Sequence, residues 1–111
     1  MNREDYQTIV DLTSEALGIL SIPVRIKNVR AGRANKNYIT LPKWLDHYDE
    51  QYQIYYAVHE TCHYGYYPKG HNLSFKTSED KALALWDIKI ERHKAYPKAL
   101  YANGKRIENI L

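Results

Sequence analysis

His59-Glu60-Thr61-Cys62-His63 sits near the end of a stretch, residues 50–64, that reads as one helix closed by Gly65. Tyr52, Tyr55, Tyr56, His59 and His63 recur at helical spacing and share one stripe of it. Residues four apart on a helix lie one turn apart on the same face, so His59 and His63 can turn two imidazoles toward one cation. Glu60 projects from the same helix, within reach of a water on that cation. Imidazole nitrogen suits zinc, and a zinc with three protein ligands keeps a fourth position for water or substrate. By chance this five-residue pattern arises in well under about one per cent of chains this short. Metal ligation is therefore preferred to a pair of ordinary helix histidines.

Working outward, residues 4–17 read as an amphipathic helix, with Tyr6, Ile9, Val10, Thr13, Ala16 and Leu17 at helical spacing and Gly18 as its stop. Residues 24–29 mostly alternate apolar and polar, which predicts a half-buried strand. Residues 31–37 form a turn-rich connector, and residues 38–41 predict a second strand closed by Pro42. The two strands are expected to pair as a hairpin. Residues 66–72 read as a loop with Pro68, Gly70 and His71. A third helix is expected from Ser74 or Ser78 to about Leu85. Residues 88–92 alternate again and predict a strand, and Pro97 breaks any helix continuing past them. Asn103-Gly104 is a tight-turn dipeptide that predicts a short hairpin or a turned C-terminal segment. The order helix, two strands, helix, loop, helix, strand and tail predicts an α+β fold, a short mixed sheet packed on helices.

A chain of 111 residues fits a single domain, 1–111. A domain this small has a limited core, so a bound metal can add to its stability. Charged residues make up 26% of the chain and hydrophobic residues 44%, a globular rather than a disordered balance. No apolar run approaches the roughly 18 residues a membrane span needs, and no secretory signal is visible, so a cytoplasmic protein without a membrane partner is expected. The net charge of +3 comes from scattered lysines and arginines with small clusters at residues 25–33 and 105–106. A nucleic-acid footprint is normally denser, so nucleic acid is not expected as a partner. Cys62 is the only cysteine, which excludes an internal disulfide and a cysteine-rich zinc ribbon. One residue before His63, it points off the ligand face as a small packing residue rather than a thiol switch on the metal.

The third metal ligand is open among three residues. His71 is preferred, because Gly65 ends the helix and lets the chain turn back toward the site. His93 is the main rival, and Glu79, from the following helix, is the second. His47 reads as a surface residue. Tyr64, Arg92 and Tyr96 are unranked candidates for stabilising an oxyanion. The strand at residues 38–41 is read either as purely structural or as an edge that binds an extended peptide through its main chain.

His59-Glu60-Thr61-Cys62-His63, followed by His71-Asn72-Leu73-Ser74-Phe75-Lys76, resembles the zincin metallopeptidases, and more narrowly the SprT-like group. Those proteins carry the same five-residue motif, a short loop, and a third histidine with an aromatic residue four positions later, which Phe75 matches. The resemblance covers roughly residues 20–100. It implies His59, His63 and His71 as zinc ligands and Glu60 as catalytic base. Asn72 stands where that pattern often has glycine, and the group's zinc ribbon is absent. The chain is also similar in size to the minigluzincins, a resemblance that implies Glu79 as third ligand instead. Small members of that group can be latent, which together with the turn at Asn103-Gly104 suggests that residues 98–111 cover the cleft; the same tail is a candidate for self-association.

The expected function is that of a zinc-dependent endopeptidase, a hydrolase that cuts peptide or protein substrates with metal-activated water and Glu60 as general base. The alternatives are a non-catalytic binding module stabilised by a closed four-ligand zinc site, and a nucleic-acid-associated protein whose basic surface matters more than its metal.

Overall fold

The computed structural model describes residues 1–65, 73–91, 101–103 and 105–106. Helix α1 runs from Arg3 to Leu17. Asn2 and Asp5 close its start as a capping box: each side chain accepts the other's backbone N–H at 2.9 Å. Gly18 ends it at φ 70°, a left-handed conformation that costs glycine little, and donates its N–H to Glu15. Tyr6, Ile9, Val10 and Thr13 form the buried face, at the positions that the helical spacing singles out.

Three strands follow: β1 (Val24–Lys27), β2 (Arg33–Ala34) and β3 (Ile39–Pro42). The Gln7 side chain ties the start of β1 to α1, accepting from Val24 N at 2.8 Å and donating to the Ile22 carbonyl at 3.1 Å. The spatial order is β1-β3-β2. Strand β1 runs parallel to β3, with Val24 opposite Ile39, whereas β2 is antiparallel to β3, with Arg33 opposite Thr40. The expected hairpin between the first and second predicted strands is therefore wrong. The Asn35 side chain accepts from Asn37 N and Tyr38 N at 2.8 and 2.9 Å, and this closes a turn over residues 35–38. The turn gives β3 its hairpin partner in Arg33–Ala34 and leaves β1 to pair on the far side. Strand β3 is thus the central strand, so of the two readings given for residues 38–41 the peptide-binding edge is ruled out; β2 is the outer strand beside it.

Ile39 and Leu41 are fully buried and join Val24 in a core shared with α1 and with helix α2 (Glu50–Gly65). A 3₁₀ turn at Lys43–His47 links β3 to α2 and buries Leu45. The Tyr6 hydroxyl donates to Asp46 at 2.8 Å and fastens α1 to this turn. Ile54, Ala57, Val58 and Cys62 are the core face of α2. Helix α3 (Leu73–Leu83) contributes Phe75, Ala82 and Leu83 to the same core. It gives way to a 3₁₀ turn at Ala84–Trp86 that ends on Asp87, at φ 54°.

A second small sheet joins β4 (Ile90–Glu91), β5 (Tyr101–Ala102) and β6 (Lys105–Arg106) in antiparallel order. Within the 88–92 stretch, only Ile90–Glu91 pairs as strand, and Arg92 lies outside the described residues. Ala102 opposes Lys105, so a hairpin forms around Asn103, itself at φ 54°. Asn103 exchanges backbone and side-chain hydrogen bonds with Lys89 at 3.0 Å and donates to the Asp87 carbonyl at 2.8 Å. Residues 98–100, 104 and 107–111 of the proposed covering tail lie outside the described residues. The domain is α+β with a short mixed sheet, and no helix among the described residues is long and apolar enough to cross a membrane.

Gly32 shows how closely the sheet approaches α2. Its N–H donates to the Tyr56 hydroxyl at 2.8 Å, and a methyl group on its Cα would stand 2.7 Å from Tyr56 Cε1 and 2.8 Å from the Thr40 carbonyl oxygen. Backbone leaves that methyl no room. Gly32→Ala is expected to destabilise the fold by about 1–3 kcal/mol in chemical denaturation; unchanged stability would mean that β2 does not sit this close to the helix.

Candidate metal centre

Helix α2 carries an aromatic ladder that ends at the two histidines. Trp44 and Tyr48 contact at 5.2 Å between ring centroids, Tyr48 and Tyr52 at 4.9 Å, and Tyr52 and Tyr55 at 6.1 Å. Tyr55 then meets His59 at 5.4 Å, and His59 meets His63 at 4.7 Å. The run follows directly from the three- and four-residue spacing of the stripe. Across from it, α3 contributes Phe75, whose buried ring lies 5.2 Å from His59 and 4.8 Å from His63.

Inside this aromatic frame the two Nε2 atoms of His59 and His63 face each other at 3.1 Å. Two nitrogens bound at about 2.0–2.1 Å to one tetrahedral zinc would stand about 3.3 Å apart, so the pair has the separation of two ligands on one ion. Glu60 is the third member of the cluster: one ligand atom each from His59, Glu60 and His63 fall within 4.8 Å of one another. These three residues can hold a metal ion. The residues that the five-residue motif singles out are thus brought together.

Glu79 serves the site differently from the role weighed for it in sequence. Its Oε2 lies 2.6 Å from Nδ1 of His59, on the side of the ring opposite the paired Nε2 atoms, and its side chain is 3% exposed. A carboxylate there accepts Nδ1–H, which fixes the tautomer and leaves the Nε2 lone pair to face His63. Tyr55 Oη reaches the same nitrogen at 3.3 Å. Sequence reasoning treated Glu79 as a rival ligand and did not foresee this backing role. The available signal was the four-residue spacing of Phe75 and Glu79, which sets both on one face of α3.

Glu60 is 7% exposed and, among the described residues, its carboxylate has no hydrogen-bond partner. Burial raises its pKa from the ordinary carboxylate value, and the neighbouring His59 works in the opposite direction. Cys62, by contrast, is fully buried in the core cluster, and burial together with the charge of Glu79 pushes its thiol pKa up. It is a packing residue, as its place on the helix implies. His47 is exposed, also as expected. Tyr64 packs against the core. His71, His93, Arg92 and Tyr96 lie outside the described residues.

Two outcomes follow from this geometry. If His59 ligates zinc, Glu79→Gln is expected to weaken zinc affinity about 10–100-fold in a competitive chelator titration, the usual cost of losing a carboxylate behind a ligating histidine; complete loss of zinc would make Glu79 a direct ligand instead. Cys62 is expected to resist a thiol-specific reagent in the folded protein and to react fully once denatured; rapid modification of the native chain would place the thiol at the surface. No protein-family model, curated protein or solved structure matches this chain.

Proposed function

We propose that the protein is a zinc-dependent endopeptidase of the zincin type. The observation that carries this reading is the clustering of Glu60, only 7% exposed, with two imidazole nitrogens that face each other. A structural zinc needs closed coordination and no idle base, whereas a hydrolytic site needs a carboxylate held ready next to the ion.

Zinc, when bound, would supply Lewis acidity toward the scissile carbonyl and toward the attacking water. His59 and His63 would hold it, with His59 oriented by Glu79. His71 is the proposed third ligand. Glu60 takes the proton of the attacking water and returns it to the departing amine. Phe75 and Tyr55 pack against the imidazoles and cover part of their surface, which strengthens charge interactions beside them.

The test is a zinc assay paired with hydrolysis of a quenched fluorescent peptide library. Wild type is expected to bind zinc and cleave, and to lose activity on chelation and regain it on zinc addition. Glu60→Gln is expected to keep its zinc while kcat/KM falls by about 10²–10⁴. A zinc-replete wild type that cuts no peptide would favour the binding-module reading, and a fully active Glu60→Gln would remove Glu60 from the mechanism.

A further inference from the structure

Away from the histidines, the sheet arranges a set of charges that the peptidase reading does not use. The strand registers set Arg25 opposite Thr40 and Thr40 opposite Arg33, one row across all three strands. Side chains alternate along a strand. The buried Val24, Ile39 and Leu41 turn to the core, so this row lies on the opposite face, where Arg25 and Arg33 are exposed and Thr40 between them is covered. Arg30, on the loop between β1 and β2, joins it. Arg25, Val29, Arg30, Ala31, Arg33 and Thr40 line a concavity of about 550 Å³. Three arginines line it, and among the described residues no carboxylate does.

The arrangement is held in place from several sides. Arg25 Nε donates to Thr40 Oγ1 at 2.9 Å, and its guanidinium lies 3.6 Å above the ring of Tyr38. The Arg30 carbonyl accepts from Trp44 Nε1 at 3.0 Å, and the N–H of Gly32 is held by Tyr56. Among the described residues, the side chains of Arg30 and Arg33 have neither an ionic nor a hydrogen-bonded partner. Like charges gathered on a fixed scaffold without counter-charges raise the local affinity for an anion, and arginine's planar fork suits carboxylates in particular.

We propose that this face of the sheet docks an acidic, extended peptide segment. Strand β2 is the outer strand. A peptide added along it would direct alternate side chains onto the same outer face as Arg33, where carboxylates meet Arg30 and Arg33. Val29 and Ala31 give their methylenes an apolar wall. Three arginines around a single concavity suit a few carboxylates, whereas a nucleic acid needs a longer track of phosphate contacts. Strand β2 is joined to α2 through Gly32 and Tyr56, one helical turn before Glu60, so the segment bound here names the substrate class of the proposed peptidase; that consequence alone rests on the peptidase reading.

The experiment measures binding without catalysis. Fluorescence anisotropy on the full chain carrying Glu60→Gln compares a short glutamate-rich peptide, its glutamine counterpart and a single-stranded DNA of similar charge. The glutamate peptide is expected to bind at least about tenfold tighter than the glutamine peptide and tighter than the DNA. Added salt should narrow the gap. Arg30→Ala/Arg33→Ala is expected to abolish the preference, and Lys81→Ala, on α3, to retain it, with thermal melts showing that both variants fold. Equal binding of the two peptides, a preference that survives the double arginine variant, or tighter binding of the DNA would each overturn the proposal. Because none of these readouts uses hydrolysis, they stand or fall separately from the peptidase reading.

Discussion

The contact between Glu79 and Nδ1 of His59 is the constraint from which the order of the site follows. An imidazole on a helix can flip and can exchange tautomers, and either change would turn a donor rather than a lone pair toward His63. A carboxylate 2.6 Å from Nδ1 removes that freedom. The carboxylate is itself fixed, because α3 buries Phe75, Ala82 and Leu83 in the core beside α2. Hydrophobic packing between two helices therefore determines the direction in which a ring nitrogen points.

The tyrosines give α2 a second function besides burial. Its core face is aliphatic, but the face toward the site is a run of rings from Tyr52 to His63, continued by Tyr48 and Trp44 from the segment before the helix. Tyrosine suits such a half-exposed face, since its ring packs while its hydroxyl finds a partner. Tyr55 reaches His59, and Tyr56 reaches Gly32 in the sheet. The abundance of tyrosine therefore has a local explanation: one helix face serves at once as a wall of the site and as a contact with the loop that leads into β2. The same loop carries Arg30, so the histidine pair and the cationic face share a support.

Much of this was legible beforehand. The boundaries of α1 and α2 follow from apolar spacing and from glycine stops, and the approach of His59 to His63 follows from helix geometry alone. The buried position of Cys62 and the hairpin at Asn103 are likewise local consequences. Where the sequence reading failed, the deciding interaction was either a short polar turn or a contact distant along the chain. Two alternating segments joined by a turn-rich connector suggest a hairpin. The side chain of Asn35 instead gave β3 a two-residue partner too short to stand out as a strand, and the longer segment became its parallel neighbour.

Sequence by itself determined which side chains share a helix face, because the periods of helix and strand are properties of the backbone and need no partner. It therefore determined the α+β class, the motif helix, and the pairing of two imidazoles beside a carboxylate. Only the tertiary structure decided what stands behind those groups: Glu79 at Nδ1 rather than at the paired nitrogens, Phe75 across both rings, and three arginines brought to one sheet face from two strands and a loop. Contacts of that kind depend on how elements pack against each other. Packing is fixed by the fit of many surfaces at once, and no single stretch of chain encodes it.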